Sequence, residues 1–167
     1  MSNISMTTSK RNAIVTVMLI SAFVSMLNQT ILNTALPAII KGLNITETTA
    51  QWLITGFMLV NGIMIPLTAF LMDKYSTRHL YIFSMAIFLI GSIVAAFSPT
   101  FSILMISRII QAIGAGILLP LMQFTVFTLF PAEQRGFAMG LAGVVVQSAP
   151  AIGPTLTGLF VDLFSWR

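Results

Sequence analysis

The chain has 167 residues and a mass of 18.1 kDa; 57% of its residues are hydrophobic, only 7% are charged, and the mean hydropathy is +0.98. A soluble domain carries about 25% charged residues, so this composition cannot give a globule a soluble surface. The composition excludes a soluble enzyme, a nucleic-acid-binding domain and a disordered tail, and it predicts an all-α integral membrane protein. The eight Lys and Arg residues are scattered along the chain, which disfavours a phosphate-binding stripe and nucleic acid as a partner.

Charged residues and turn signals divide the chain into five apolar stretches, and a membrane-spanning helix needs about 20 residues. The predicted spans are at about 12–35, 49–72, 80–97, 102–129 and 137–161. The loop signal Ser98-Pro99-Thr100 separates the third span from the fourth, and Pro131 is predicted to end the fourth. Leu36-Pro37 is predicted to end the first span, and Thr46 or Thr48 to cap the second.

The positions of the cationic residues predict the orientation in the membrane. Five fall on one side, namely Lys10, Arg11, Lys74, Arg78 and Arg135, and two on the other, Lys41 and Arg167. Because cytoplasmic loops carry the excess of Lys and Arg, residues 1–11 are predicted to be a cytoplasmic tail. Residues 12–167 hold the five spans and are predicted to be the truncated N-terminal half of a larger membrane protein.

Polar side chains form a row along the first span. They are Ser21, Ser25, Asn28, Gln29 and Asn33, with Thr30 and Thr34 beside them. Unpaired amides are costly in hydrocarbon, so this row is expected to face other helices or water. Two interpretations stay open: hydrogen bonds between helices, worth about 0.6 kcal/mol each, or the wall of a polar cavity.

Arg108 lies about two turns inside the fourth span, and Gln111 follows one turn later on the same face. A charge at the centre of a membrane costs roughly 2.5–3.5 kcal/mol even on a lenient insertion scale. The arginine either snorkels to the outer interface or acts in a hydrated interior. None of the five predicted spans holds a carboxylate, so a partner would be a substrate, a backbone carbonyl or a residue outside this chain.

The fifth span is rich in small residues. Gly136 and Gly140 form one pair at close-packing spacing, and Ala149, Gly153 and Thr157 form a second row. Pro150 and Pro154 favour a bend, because each removes a helix hydrogen bond. The bend is either a packing feature or part of an opening and closing movement.

Four segments, in order along the chain, resemble sequence motifs of one protein family. The sequence LNQTILNTALPAI (27–39) is similar to L-D-x-T-I-V-N-x-A-L-P, and AFLMDKYSTRH (69–79) to G-x-L-x-D-x-x-G-R-[RK]. The sequence RIIQAIGAG (108–116) is similar to R-x-x-Q-G-x-G-A, and APAIGPTLTG (149–158) to G-x-x-x-G-P-x-x-G-G. The chain therefore resembles the major facilitator superfamily, in its fourteen-helix drug:proton antiporter branch of the EmrB and QacA type.

The resemblance implies a secondary transporter whose two bundles rock about a central site. It implies five transmembrane helices of an incomplete six-helix N-terminal bundle, in a bacterial plasma membrane. The expected activity is efflux of amphipathic or cationic drug-like compounds in exchange for protons. The expected partners are membrane lipids, these substrates, protons and the missing C-terminal helices of the same or another chain; no cofactor, metal or catalytic residue is implied.

The resemblance also assigns roles to particular residues. It implies a substrate and coupling cavity lined by Asn28, Gln29, Asn33, Arg108 and Gln111, a cytoplasmic loop latch of Asp73 and Arg78, and a helix bend set by Gly153, Pro154 and Gly158. Asn28 stands where the branch motif has an aspartate, and an amide cannot release a proton near neutral pH. Coupling is therefore expected to lie at another position, or to use an ion other than the proton.

The length predicts an N-terminal fragment that is inactive alone, because a site between two bundles cannot be completed by one incomplete bundle. The alternative is a small oligomeric membrane scaffold or channel that is complete at this length. An intramembrane enzyme is not expected, because the five predicted spans contain no Asp, Glu, Lys or Cys.

Overall fold

The computed structural model describes residues 7–163, with side chains through residue 158. Within these residues the chain forms no strand, only the helices α1 (Thr8–Leu43), α2 (Glu47–Lys74), α3 (Thr77–Ala96), α4 (Phe101–Leu129) and α5 (Ala132–Leu163). Each helix is long and apolar enough to cross a membrane. The all-α membrane class and the number of spans are confirmed. Residues 1–6 of the predicted tail and Arg167 lie outside the described residues.

The helices are longer than predicted because the turns between them are short. The predicted end of the first span at Leu36-Pro37 is wrong, since α1 continues through Pro37 to Leu43. A proline removes only one helix hydrogen bond, and helices in membranes tolerate this loss. The helix ends at Asn44, which has left-handed backbone angles (φ 51°, ψ 48°) and donates its N–H to the Ile40 carbonyl. At its other end α1 begins at Thr8, inside the predicted tail.

The remaining helix ends follow the sequence signals. Thr46 caps α2, its Oγ1 accepting a hydrogen bond from the Thr49 N–H at 3.2 Å. Thr100 caps α4 in the same way, accepting from the Ile103 N–H at 3.5 Å. The Ser98-Pro99-Thr100 break separates α3 from α4 as predicted, and Pro131 lies between α4 and α5.

Helix α4 is the centre of the bundle and contacts each of the other helices. Its most extensive contact is with α3. A Cβ atom added at Gly91 would lie 2.8 Å from the Gln111 backbone nitrogen, and one added at Gly114 would lie 2.6 Å from the Ser84 carbonyl oxygen. The backbones of α3 and α4 therefore nearly touch, an approach that only glycine permits.

Helix α5 packs mainly on α1. Its buried row consists of Ala138, Ala142, Val146, Ala149, Gly153 and Thr157. A Cβ atom added at Gly153 would lie 2.6 Å from Thr30 Cγ2 of α1. The close approach predicted for Gly136 and Gly140 is not made among the described residues, where no neighbouring atom lies within 4 Å of a Cβ added at either position. These glycines lie on the exposed side of α5, away from the buried row.

Two contacts join segments that the charge pattern places on the same side. The Arg11 guanidinium stacks on the Phe130 ring, 4.3 Å from its centroid. Arg135 Nε donates to the Phe130 carbonyl at 3.0 Å. The start of α1 and the α4–α5 turn therefore lie at the same end of the bundle. The side of the membrane that this end faces stays a prediction.

Candidate functional site

Arg108 is buried inside the bundle, with 1% of its surface exposed. Its Nη1 donates to Asn28 Oδ1 of α1 at 3.0 Å and to Gln111 Oε1 at 2.8 Å. Gln111 is equally buried, and its Nε2 donates to Ser92 Oγ of α3 at 3.1 Å. We call Asn28, Ser92, Arg108 and Gln111 the Arg108 cluster. It joins α1, α3 and α4, and its burial rules out an arginine that snorkels to the membrane interface.

An aromatic ring lies against the guanidinium. The Arg108 guanidinium carbon is 4.3 Å from the centroid of Phe57, a buried residue of α2. Such a contact is worth about 2 kcal/mol when both groups are desolvated. Phe57 packs with Phe88, Ala112 and Ala115 in an apolar group. The cluster therefore has an apolar wall on one side and polar partners on another.

Part of the guanidinium has no partner. Nε and Nη2 of Arg108 are buried and make no hydrogen bond to any of the residues that the structure describes. Among acids with described side chains, Glu47, Asp73 and Glu133 all lie at helix ends, so none neutralises this charge. Burying an ion costs several kcal/mol even after relaxation, whereas a hydrogen bond to a charged group returns about 1.5–3 kcal/mol. The cluster is therefore an electropositive site with unused donors.

A cavity of about 440 Å³ lies between α1 and α3, beside the cluster. Its lining residues are Val24, Asn28, Met85, Ala86, Phe88, Leu89 and Ser92. Asn28 and Ser92, its polar members, bond to Arg108 and Gln111 respectively. The cavity is therefore an apolar space that meets the cluster at two polar side chains.

A larger cavity of about 690 Å³ lies nearer the end of the bundle that holds Arg11, between α1, α3 and α4. Its lining includes Val17, Arg78 and Tyr81. The Tyr81 hydroxyl is 2.5 Å from the Ser21 hydroxyl. Ser21 lies between the two sets of cavity-lining residues on α1, so this hydrogen bond joins α1 to α3 between the two cavities.

The polar row of α1 does not face a single space. Ser21 bonds to α3, Asn28 bonds to α4, and Thr30 packs on α5. Gln29 is half-buried and Asn33 is exposed, and neither makes a side-chain hydrogen bond within the described residues. Of the predicted cavity residues, the structure brings together Asn28, Arg108 and Gln111, and leaves Gln29 and Asn33 apart from them.

The other predicted residues lie away from the cluster. Asp73 and Arg78 are both exposed on either side of the α2–α3 turn, and no ion pair joins them. In α5, Gly153 is buried against Thr30, while Pro154 and Gly158 are exposed. The helix is continuous through both of its prolines.

Sequence reasoning missed two members of the site, Phe57 and Ser92. Ser92 follows Gly91, a position of close α3–α4 approach, and this Gly-Ser pair in an apolar span is a signal that could have been used. No comparable signal marks Phe57, since the chain has 13 phenylalanines.

The sequence model of the Major Facilitator Superfamily matches residues 18–167. The chain belongs to this superfamily. It is 55% identical over 157 residues to YcnB of Bacillus subtilis, an uncharacterized MFS-type transporter, covering 94% of this chain and 33% of YcnB. It is 44% identical over 150 residues to the lincomycin resistance protein LmrB of the same species, covering 90% of this chain and 31% of LmrB.

A third relative comes from a different bacterium. The chain is 35% identical over 147 residues to the probable multidrug resistance protein EmrY of Escherichia coli, covering 88% of this chain and 29% of EmrY. The chain thus spans about a third of the length of these relatives. Together with the helices, these matches identify a multi-pass membrane protein of the bacterial plasma membrane and confirm the family resemblance.

Proposed function

We propose that this chain is part of a multidrug efflux transporter that works by alternating access and exchanges its substrate for protons. The observation that carries the proposal is the Arg108 cluster, in which a buried charge joins three helices beside a cavity. Intramembrane charges are costly and mark substrate or ion pathways. The lincomycin and multidrug resistance proteins among the relatives support efflux as the activity.

The cavity supports amphipathic substrates, because it combines an apolar lining with the polar side chains of Asn28 and Ser92. The resemblance adds cationic compounds to this class. Since an amide does not titrate near neutral pH, the proposal assigns proton coupling to a group other than Asn28.

The resemblance supplies the remaining roles. Asp73 and Arg78 have exposed side chains and are proposed to form a latch toward the rest of the transporter. Gly153, Pro154 and Gly158 are proposed to let α5 bend during transport. We propose a cytoplasmic N-terminus, no enzymatic activity, and a chain that needs the missing C-terminal helices, in the same or another polypeptide, to transport.

The test is a chimera in which this chain replaces the aligned segment of Bacillus subtilis LmrB. Expressed in cells that lack their own LmrB, the chimera is expected to confer lincomycin resistance above the empty-vector level, with intact LmrB as the positive control. A chimera that reaches the membrane in normal amount and confers no resistance would argue against the proposal. Expression of this chain alone is expected to confer none.

A further inference from the structure

The unpartnered atoms of Arg108 form a recognisable binding element. Nε and Nη2 share one edge of the planar guanidinium, and both are buried without an acceptor. This edge is a two-pronged donor that matches the two oxygens of a carboxylate. The atoms that already have partners lie elsewhere, since both hydrogen bonds of Arg108 come from Nη1.

The charge balance around this edge favours an anion. Arg108 is the only formal charge between Phe101 and Leu129, and its nearest polar partners, Asn28 and Gln111, are neutral amides. An aspartate at position 28, as in the branch motif, would have supplied the missing negative charge. In this chain the positive charge remains available to an anion.

The adjoining cavity indicates what else the ligand carries. Its wall between α1 and α3 is apolar apart from Asn28 and Ser92, with Phe88 and Leu89 among its lining side chains. Asn28 touches both the cavity and the guanidinium, and it is only half-buried. Because Asn28 bonds Nη1, a ligand with its apolar body in the cavity must displace the Asn28 side chain and pass Nη1 to reach the unpartnered edge.

We propose that the Arg108 cluster binds the carboxylate of an amphipathic organic acid, whose apolar body occupies the cavity between α1 and α3. The proposal rests on the proposed transport function only in naming this acid as a substrate, and it adds anionic and zwitterionic compounds to the expected substrates. Binding itself is a property of the cluster and is measured without transport.

The test compares three probes that share a phenyl ring and differ in charge: benzoate, the neutral benzamide and the cationic benzylamine. Binding of each radiolabelled probe is measured on the purified chain in lipid nanodiscs. The sample must first be shown to be monodisperse and helical. Benzoate is expected to bind about ten-fold more tightly than benzamide, the gain of one charge-assisted bond pair, and benzylamine the most weakly.

A matched pair of variants locates the effect. Asn28→Asp places a carboxylate against Arg108 and is expected to abolish the benzoate preference. Asn12→Asp makes the same substitution at an exposed position near the start of α1 and is expected to keep it. If a variant fails to insert, the comparison of benzoate with benzamide on the unaltered chain decides the matter.

Equal binding of benzoate and benzamide, or a benzoate preference that survives Asn28→Asp, would overturn the proposal. The LmrB chimera separates this outcome from a failure of the transport function. If the chimera confers resistance but the chain shows no benzoate preference, the proposed carboxylate site is wrong and the proposed transport function stands. If the chain prefers benzoate but the chimera confers no resistance, the proposed transport function is wrong and the binding site stands.

Discussion

The side chain of Gln111 connects Arg108 to Ser92 within the Arg108 cluster. Its Oε1 accepts from Arg108 and its Nε2 donates to Ser92, so a single amide on α4 links the charge to α3. The sequence predicts Arg108 and Gln111 as a pair, because an arginine in a span needs a polar partner on its own face. It does not predict Ser92 or Phe57, whose roles depend on how α2 and α3 pack against α4.

Gln111→Leu is expected to lower the free energy of unfolding by about 1–3 kcal/mol, because Arg108 and Ser92 each lose a buried partner. The matched control is Gln147→Leu, at an exposed position of α5, which is expected to change it by less than about 0.5 kcal/mol. Thermal unfolding of the two purified variants in one detergent checks this. Equal melting temperatures would show that the amide of Gln111 does not support the cluster.

At the scale of the helices, the packing of α1 against α5 depends on one of two rows of small residues. The sequence offers Gly136 with Gly140, and Ala149 with Gly153 and Thr157, at the same spacing. The structure buries the second row and exposes the first pair. Spacing alone shows that a face can approach a neighbour closely, but which face does so depends on the neighbours, so the sequence could not decide between them.

Gly153→Ala is expected to destabilise the chain by about 1–3 kcal/mol, the usual cost of overpacking. The added Cβ would lie 2.6 Å from Thr30 Cγ2 and 2.8 Å from Thr30 Cβ, so α1 and α5 must separate. Gly158→Ala is the control, since no atom lies within 4 Å of a Cβ there, and a gain of up to about 1 kcal/mol in helix propensity is expected. Melting temperatures that fall equally in both variants would contradict this account of the packing.

The end of α1 gives a second prediction at this scale. Asn44 has a positive φ of 51°, so Asn44→Ala is expected to cost about 1–2 kcal/mol, the penalty for a Cβ in the left-handed region. Asn44→Gly is expected to be neutral within a few tenths of a kcal/mol, since glycine adopts this conformation freely. Chemical denaturation of the two variants compares them, and an alanine variant as stable as the glycine variant would be the contrary result.

For the whole molecule, five spans follow from the distribution of charged residues, and the family follows from four short motifs. Neither the charges nor the motifs predict the central position of α4. That position depends on backbone contacts at Gly91 and Gly114, which no local sequence pattern indicates. The sequence also predicts too short a first helix. Pro37 is a helix-stop signal in the sequence, but α1 continues through it.

The orientation is tested with single cysteines, which the chain lacks naturally. Thr48→Cys and Gln134→Cys place thiols at exposed positions near opposite ends of the bundle. In intact cells a membrane-impermeant maleimide is expected to label Thr48→Cys at once and Gln134→Cys only after permeabilisation, because the cationic end faces the cytoplasm. The reverse pattern of labelling would show that the N-terminus lies outside.

The central claim is that transport requires the buried positive charge of Arg108. Its most direct test is lincomycin efflux by the LmrB chimera carrying Arg108→Ala, compared at equal membrane abundance with Arg135→Ala, whose arginine stacks on Phe127 at a helix end. The account predicts efflux at the empty-vector level for Arg108→Ala and near-normal efflux for Arg135→Ala. Normal efflux by the Arg108→Ala chimera would contradict it.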